Sequence, residues 1–231
     1  MKPLQGRIAI VTGSTKGNGR AIAELFSANG SNVVIVGRDE KEAAVAVHEI
    51  SQKYKTHPLG LRVDVTRLEG VVKMVETTLK KFDRRIDIFV NNAGFPIEDR
   101  LWDRALHEIS EDDVNEVLDV DTLGSFRCCK EVLPVIMNQK SGVIINISST
   151  PAIAGYDKGA PYTVTKSAIL GLTKYIAKEY GKFGIRCNAI APGSIATARN
   201  WGRLSKAERL ALVSGIPLGR PGNRRISLES R

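Results

Sequence analysis

Along the chain, short runs of β-branched residues alternate with longer segments whose apolar positions recur every three or four residues. The runs Ile8-Ala9-Ile10-Val11, Val33-Val34-Ile35-Val36 and Val143-Ile144-Ile145 are apolar at every position instead of every second one. A strand with one face in water alternates, so uninterrupted runs mean strands covered on both faces, as in a parallel sheet between two layers of helix. The pattern predicts strands over 7–12, 32–36, 59–63, 86–90, 143–147 and 186–190. Helices are predicted over 20–29, 40–53, 68–81 and 161–180, with one long stretch over 112–137. Asp39 stands as the N-cap of the second helix, with Glu42 at capping-box spacing. The fold class that follows is α/β, a doubly wound parallel sheet of six strands whose ligands bind beyond the carboxyl ends of the strands.

At 231 residues, 42% apolar and 26% charged, the chain can bury one core, so a single domain spanning 1–231 is expected. No apolar run approaches the length of a membrane span, and the first residues lead into a strand without an apolar leader. A soluble, cytoplasmic protein without membrane contact is expected. Cys128, Cys129 and Cys187 are odd in number and lack metal-ligand spacing, so they read as small buried apolar residues, with no disulfide framework and no metal. The formal charge of +9 is spread over scattered Lys and Arg with no dense basic run. It favours anionic ligands generally and gives no reason to expect nucleic acid.

Between the first strand and first helix lies Thr12-Gly13-Ser14-Thr15-Lys16-Gly17-Asn18-Gly19. Glycines there allow close backbone approach, and the helix N-terminus offers amides and a positive dipole end to a pyrophosphate. A Gly-rich turn alone is often only a tight connection; its place after a buried strand points to a Rossmann-type dinucleotide site with Gly13, Thr15, Lys16, Gly17, Asn18 and Gly19 at the cofactor. An acid ending the second strand would select NAD, a cation the 2′-phosphate of NADP. Gly37 and Arg38 stand there, and Lys16 adds a second charge, so NADP(H) is the expected cofactor. Two alternatives stand beside it: Asp39 as a ribose-binding acid selecting NAD, although a helix N-cap is needed at that place, and Arg38 as an ordinary solvated residue.

Tyr162 and Lys166 are four residues apart, which on a helix puts both on one face. That spacing by itself is common. Together with the glycine turn, Asn91-Asn92-Ala93-Gly94, Ser148-Ser149 and Pro192-Gly193, all in the family's order, it makes the chain resemble the short-chain dehydrogenase/reductase family over residues 6–222. The resemblance implies that Ser149, Tyr162 and Lys166 are the catalytic serine, tyrosine and lysine. It also implies that Asn91, Ala93 and Gly94 border the cofactor, that Asp64 contacts the adenine with Val65 next to it, and that Pro192, Gly193, Ile195 and Thr197 lie at the nicotinamide end. Hydride transfer to a carbonyl leaves an alkoxide that must be hydrogen-bonded and protonated. A phenol, with an ordinary pKa of about 10, needs a neighbouring cation before it can act as a base at neutral pH. Tyr162 would be the acid, Lys166 its cation, Ser149 the group that orients the substrate oxygen, and Ser148 a backbone-bonding hydroxyl.

Two departures from the family pattern stand out. The family's relay asparagine is replaced by Asp121 within Val120-Asp121-Thr122-Leu123-Gly124. A carboxylate there should favour the Lys166 ammonium yet weaken its pull on a phenolate, moving the pH optimum of oxidation upward. After Gly222 the family continues through a helix and a seventh strand, whereas residues 223–231 form a short basic tail, so that strand is expected to be missing. An unpaired sixth strand would expose an edge, which bears on the homo-oligomer, dimer or tetramer, that the resemblance implies.

The resemblance also makes 194–216 a substrate lid with a short helix near 206–214. Trp201, Pro151 and Tyr156 are candidate pocket walls, each equally explained by packing, and Lys140 and Lys182 are candidate contacts for an acidic carrier. The implied activity is NADP(H)-dependent oxidoreduction of a small carbonyl or secondary alcohol: a 3-oxoacyl thioester, a sugar or polyol, or a simple ketone. The alternative is a cofactor-binding sensor or interaction protein that keeps the fold without turnover.

Overall fold

A computed structural model describes residues 2–96, 101–197, 201–202 and 204–223. Six strands, β1 (Ile8–Val11), β2 (Asn32–Gly37), β3 (Leu59–Arg62), β4 (Ile88–Asn91), β5 (Gly142–Ile147) and β6 (Ile185–Ile190), form one parallel sheet in the order β3-β2-β1-β4-β5-β6. The order reverses at β1, where Val11 stands in register with Ile35 of β2 on one side and Val90 of β4 on the other. A crevice opens at such a reversal, beyond the carboxyl ends of the strands.

Helices α1 (Gly17–Ala28) and α2 (Glu40–Tyr54) cover one face. There Ala9, Val11, Val33 and Ile35 pack with Ala23, Ala46 and Ile50. On the other face Ile8, Ile10, Val34, Phe89 and Ile144 meet α3 (Leu68–Lys81), α5 (Gly124–Asn138) and α7 (Ala160–Tyr180) through Val71, Met74, Cys128, Val132, Ile136 and Ile176. Successive strand residues point to opposite faces, so an unbroken apolar run feeds both cores. Each fully buried Val or Ile contributes about 1.5–3 kcal/mol. The β6 sequence Ile185-Arg186-Cys187-Asn188 alternates instead, and Arg186, Asn188 and Ile190 are exposed. Among the described residues β6 is a sheet edge.

The long helix expected over 112–137 is interrupted. The chain forms α4 (Glu111–Leu118), a π turn over Asp119–Leu123, and then α5. The extra residue of a π turn resets the helical register, and here it brings Asp121 inward to 1% exposure. A hydrophobic pattern has no marker for such a turn. The strand expected over 86–90 starts two residues later: the Gln139 side chain holds both the amide and the carbonyl of Ile86, and the Asp87 carboxylate accepts from the Ile8 amide at 2.8 Å while the Asp87 backbone still bonds to Ile8 and Val143.

A short helix, α6 (Pro151–Ala154), follows β5. Beyond β6 the chain forms β7 (Ile195–Ala196), α8 (Lys206–Ser214) and β8 (Gly222–Asn223), and β7 and β8 pair in a separate two-stranded ladder that periodicity did not reveal. The expected helix of the 194–216 segment is present as α8; residues 198–200 and 203 of that segment, and the 224–231 part of the basic tail, lie outside the described residues. Lys140 precedes β5 and Lys182 precedes β6, at the sheet end opposite Ser149, and Lys182 is paired with Glu179. An acidic carrier held there would sit far from Ser149. No helix among the described residues is long and apolar enough to cross a membrane.

Candidate active site

The glycine turn is fastened to three strands. Thr12 Oγ1 accepts from the amides of Asn92 and Ala93, both at 3.0 Å, and the Asn92 side-chain amide donates back to the carbonyls of Thr12 and Gly13. Ser14 Oγ donates to the Val11 carbonyl and accepts from the Val36 amide, tying β1 to β2. A Cβ at Gly19 would overlap the Gly13 carbonyl and the Asn92 amide, so only glycine lets α1 approach this closely. Gly17, at φ +61°, faces open space. Helix α1 begins at an extended Lys16 with no side-chain cap and no acid in its first turn, whereas Asp39, Ser110 and Ser205 cap α2, α4 and α8. Its unsatisfied amides and positive dipole end therefore fit an anion such as a pyrophosphate.

Beyond β2, Arg38 is exposed and forms no ion pair among the described residues. Asp39 accepts from the Glu42 amide at 3.0 Å and so fills the N-cap place. Only half of the expected capping box forms, because the Glu42 carboxylate turns outward to Lys16 Nζ and Thr15 Oγ1, each at 3.0 Å. Those hydrogen bonds, Lys16 first, hold the Glu42 carboxyl below the usual carboxylate range. Burial acts against ionisation of Asp64, yet the Thr66 amide and hydroxyl bonds, with Arg38 and Arg67 behind them, hold its carboxyl low as well. Val65 is buried in the core, where a Cβ at Gly124 would come within 2.8 Å of it. Asn91 also turns inward: its amide donates to Asn146 Oδ1 at 2.8 Å and to Cys129 Sγ, and Asn146 donates on to Thr173. The side chain expected to border a cofactor is thus 4% exposed and part of a core network.

At the carboxyl end of β5, Ser148 Oγ donates to the Lys166 carbonyl at 2.8 Å, and Ser149 Oγ to the Pro192 carbonyl at a long 3.4 Å. Helix α7 presents Tyr162 and Lys166 here. Lys166 Nζ donates to the Ile147 carbonyl at 3.2 Å, stands 3.2 Å from Asp121 Oδ2, and lies 5.5 Å from the centre of the Tyr162 ring. Asp121 Oδ1 accepts from the Phe95 amide at 2.6 Å; Oδ2 makes only the charge contact to Lys166, without an aligned hydrogen bond. A Cβ at Gly94 would touch both groups, at 3.4 Å and 3.7 Å, so the Gly94 backbone closes over the ion pair. Lys166 therefore meets Asp121 and half-buried Tyr162 at the carboxyl end of β5, with Ser149 on the segment that follows that strand. An ammonium beside a phenol is an arrangement able to move a proton to or from a substrate oxygen.

Sequence reasoning missed Trp102. Its ring lies 5.9 Å edge-on to Tyr162 and 5.7 Å from Tyr156, while Phe95, Leu101 and Val117 pack beneath. Gly159, at φ +65°, donates its amide to the Trp102 carbonyl, and a Cβ there would come within 2.6 Å of the indole. No local pattern in the sequence links Trp102 to Tyr162, so periodicity had no means of finding this contact. Of the expected walls, Tyr156 joins Trp102, Pro151 opens α6, and Trp201 lies under the Arg209 guanidinium at 5.6 Å. Gly193 is open, with only Thr150 near its missing Cβ; the Ile195 side chain packs on Gly222; and the Thr197 carbonyl accepts from the Trp201 amide at 2.9 Å.

A family model described as short chain dehydrogenase matches residues 7–208. A 3-oxoacyl-[acyl-carrier-protein] reductase of Aquifex aeolicus (strain VF5) is 37% identical over 220 residues, covering 95% of this chain and 86% of that one. A 2-(R)-hydroxypropyl-CoM dehydrogenase of Xanthobacter autotrophicus (strain ATCC BAA-1158 / Py2) is 36% identical, covering 91% of this chain and 84% of that one. In fold, a crystal structure of NAD+-bound xylitol dehydrogenase superposes with a TM-score of 0.91 at 24% identity, covering 98% of this chain and 91% of the other.

Proposed function

The chain belongs to the short-chain dehydrogenase family, and from that premise we propose that it is an NADP(H)-dependent oxidoreductase interconverting a small carbonyl compound and its secondary alcohol. The substrate classes proposed are a 3-oxoacyl thioester, a sugar or polyol, or a simple ketone. The observation that carries the reading is the buried Lys166 ammonium, held by the Ile147 carbonyl and Asp121 and lying 5.5 Å from the Tyr162 ring. One relative of similar identity is named for reducing an oxo group and the other for oxidising a hydroxyl, which supports hydride transfer at such a carbon.

The residues around the crevice fit a dinucleotide. Uncapped α1, with Gly13, Gly17, Asn18 and Gly19, would hold the pyrophosphate, Arg38 and Lys16 the 2′-phosphate, Asp64 the adenine end, and Ala93, Gly94, Gly193, Ile195 and Thr197 the nicotinamide end. When bound, the nicotinamide supplies or accepts the hydride. In reduction the Tyr162 hydroxyl gives its proton to the substrate oxygen as that oxygen gains charge, and in oxidation it takes the proton back. Lys166 stabilises the phenolate left behind, Ser149 donates a hydrogen bond to the same oxygen, and Asp121 positions and partly neutralises the ammonium. Engagement of Asp39 as an N-cap supports NADP over NAD, since it removes the acid that would bind the ribose.

The whole chain acts in this reading as one catalytic domain with 194–216 as its lid. A homo-oligomer, dimer or tetramer, is supported by the exposed Phe126 on α5 and Val164 and Tyr175 on α7, and light scattering measures it. The test of activity is a panel of carbonyl and alcohol substrates with NADPH and NADH, run on the parent and Tyr162→Phe. Turnover with NADPH that falls by about 10²–10⁴-fold in Tyr162→Phe, with nucleotide binding kept, is expected. Tight NADPH binding without turnover on any substrate class would instead make the protein a cofactor sensor, a reading motivated by the charge of Asp121 against Lys166.

A further inference from the structure

We infer that Glu42 is a specificity-determining residue, an internal carboxylate seated on the donors that a 2′-phosphate would use. The inference rests on the reading that NADP(H) reaches this crevice through Arg38 and Lys16. Glu42 is the third residue of α2, a place from which an acid commonly turns back to the N-cap amide. Here it reaches across to the glycine turn. Its Oε1 accepts from Lys16 Nζ and its Oε2 from Thr15 Oγ1, both at 3.0 Å. Two oxygens on two donors is the way a phosphate would engage the same pair.

The position ties this contact to the crevice. Thr15 and Lys16 lie in the turn leaving β1, and Gly37, the last residue of β2, abuts Thr15: a Cβ at Gly37 would stand 2.5 Å from Thr15 Cγ2. The carboxylate therefore sits on the glycine turn, where the ends of β1 and β2 meet. The pair joins residues 26 positions apart and ties the glycine turn to the first turn of α2. A 2′-phosphate entering here must take Lys16 from Glu42 and remain close to a like charge, while the 2′-hydroxyl of NAD meets neither cost. Lys16 and Glu42 are 72% and 44% exposed, so water and salt screen the pair and the effect is moderate. Glu42 thus narrows the preference for NADP over NAD that Arg38 and Lys16 would otherwise establish.

The test uses calorimetric titration of the full chain with 2′,5′-ADP and with 5′-ADP, in the parent, Glu42→Gln and Arg38→Met. In Glu42→Gln the affinity ratio of the 2′-phosphorylated over the unphosphorylated nucleotide should rise by roughly two- to fivefold, with 5′-ADP binding unchanged. A ratio that stays the same or falls overturns the role of Glu42. Failure of the underlying reading looks different: the parent would not favour 2′,5′-ADP, and Arg38→Met would leave the ratio unaltered. Glu42→Gln keeps the backbone amide that Asp39 caps, and equal melting temperatures of parent and variant identify a change in the ratio as a binding effect.

Discussion

Lys166 Nζ stands 3.2 Å from Asp121 Oδ2, and the two side chains are 7% and 0% exposed. An ammonium and a carboxylate removed from water attract strongly, and each depends on the other for compensation. The pair joins α7 to the π turn, so the distortion of the helix and the position of the lysine are one structural feature.

Asp121→Asn keeps an acceptor for the Phe95 amide and removes the charge. The Lys166 field then acts undiminished on Tyr162, and the acid limb of the oxidation pH–rate profile should move to lower pH than in the parent. Stability should fall, by at most about 3–5 kcal/mol, because one buried charge is left unmatched. Superimposable profiles would remove Asp121 from the proton chemistry.

Gly19→Ala and Gly171→Ala should act in opposite directions. The first puts a methyl group into the Gly13 carbonyl and should cost about 1–3 kcal/mol along with most of the nucleotide affinity. The second adds a methyl group in open space in the interior of α7 and should stabilise by about 0.4–1 kcal/mol. Urea denaturation of both variants, with nucleotide titration of the first, measures this.

All three cysteines should ignore a thiol reagent in the native protein. Burial pushes the thiols of Cys128 and Cys187 up to about 12 and that of Cys129 upward as well, so almost no thiolate exists at neutral pH. Labelling of all three should appear only in denaturant. Fast labelling of the folded chain would contradict the burial of these side chains.

Asp64 should contribute to the acid limb of stability. Its carboxyl is held below its unfolded value of 3.8, so the native state favours the charged form. That contribution is present above about pH 4 and is lost as pH falls through the folded value. Asp64→Asn should therefore lower the urea midpoint at neutral pH and decline less steeply in acid than the parent. An equal loss at neutral and acid pH would show that Asp64 acts through shape instead of charge.

How far these features were readable differs from place to place. The apolar runs at 8–11 and 33–36 marked the strands because burial on both faces leaves no polar position to confuse the pattern; the run at 143–145 marked its strand although Val143 and Ile145 are only half-buried. The glycine turn was legible because backbone crowding excludes every other residue at Gly19. The two residues lost from the start of β4 were not legible, since the distant Gln139 side chain holds the backbone of Ile86 and the Asp87 carboxylate takes the Ile8 amide. The motif at 91–94 places Asn91 at the cofactor's border, and only the amide contacts with Asn146 and Cys129 show its side chain directed into the core.

The sequence by itself determined the order of strands and helices, the place of the glycine turn, and the four-residue spacing of Tyr162 and Lys166, because each depends on periodicity or local backbone sterics. Tertiary structure alone decided that Asp121 meets Lys166, that Glu42 meets Lys16, and that Trp102 flanks Tyr162. Those contacts join residues far apart in the chain. They depend on which strands are neighbours and on how a single π turn rotates the helix that follows, and neither is written in the local alternation of apolar and polar residues.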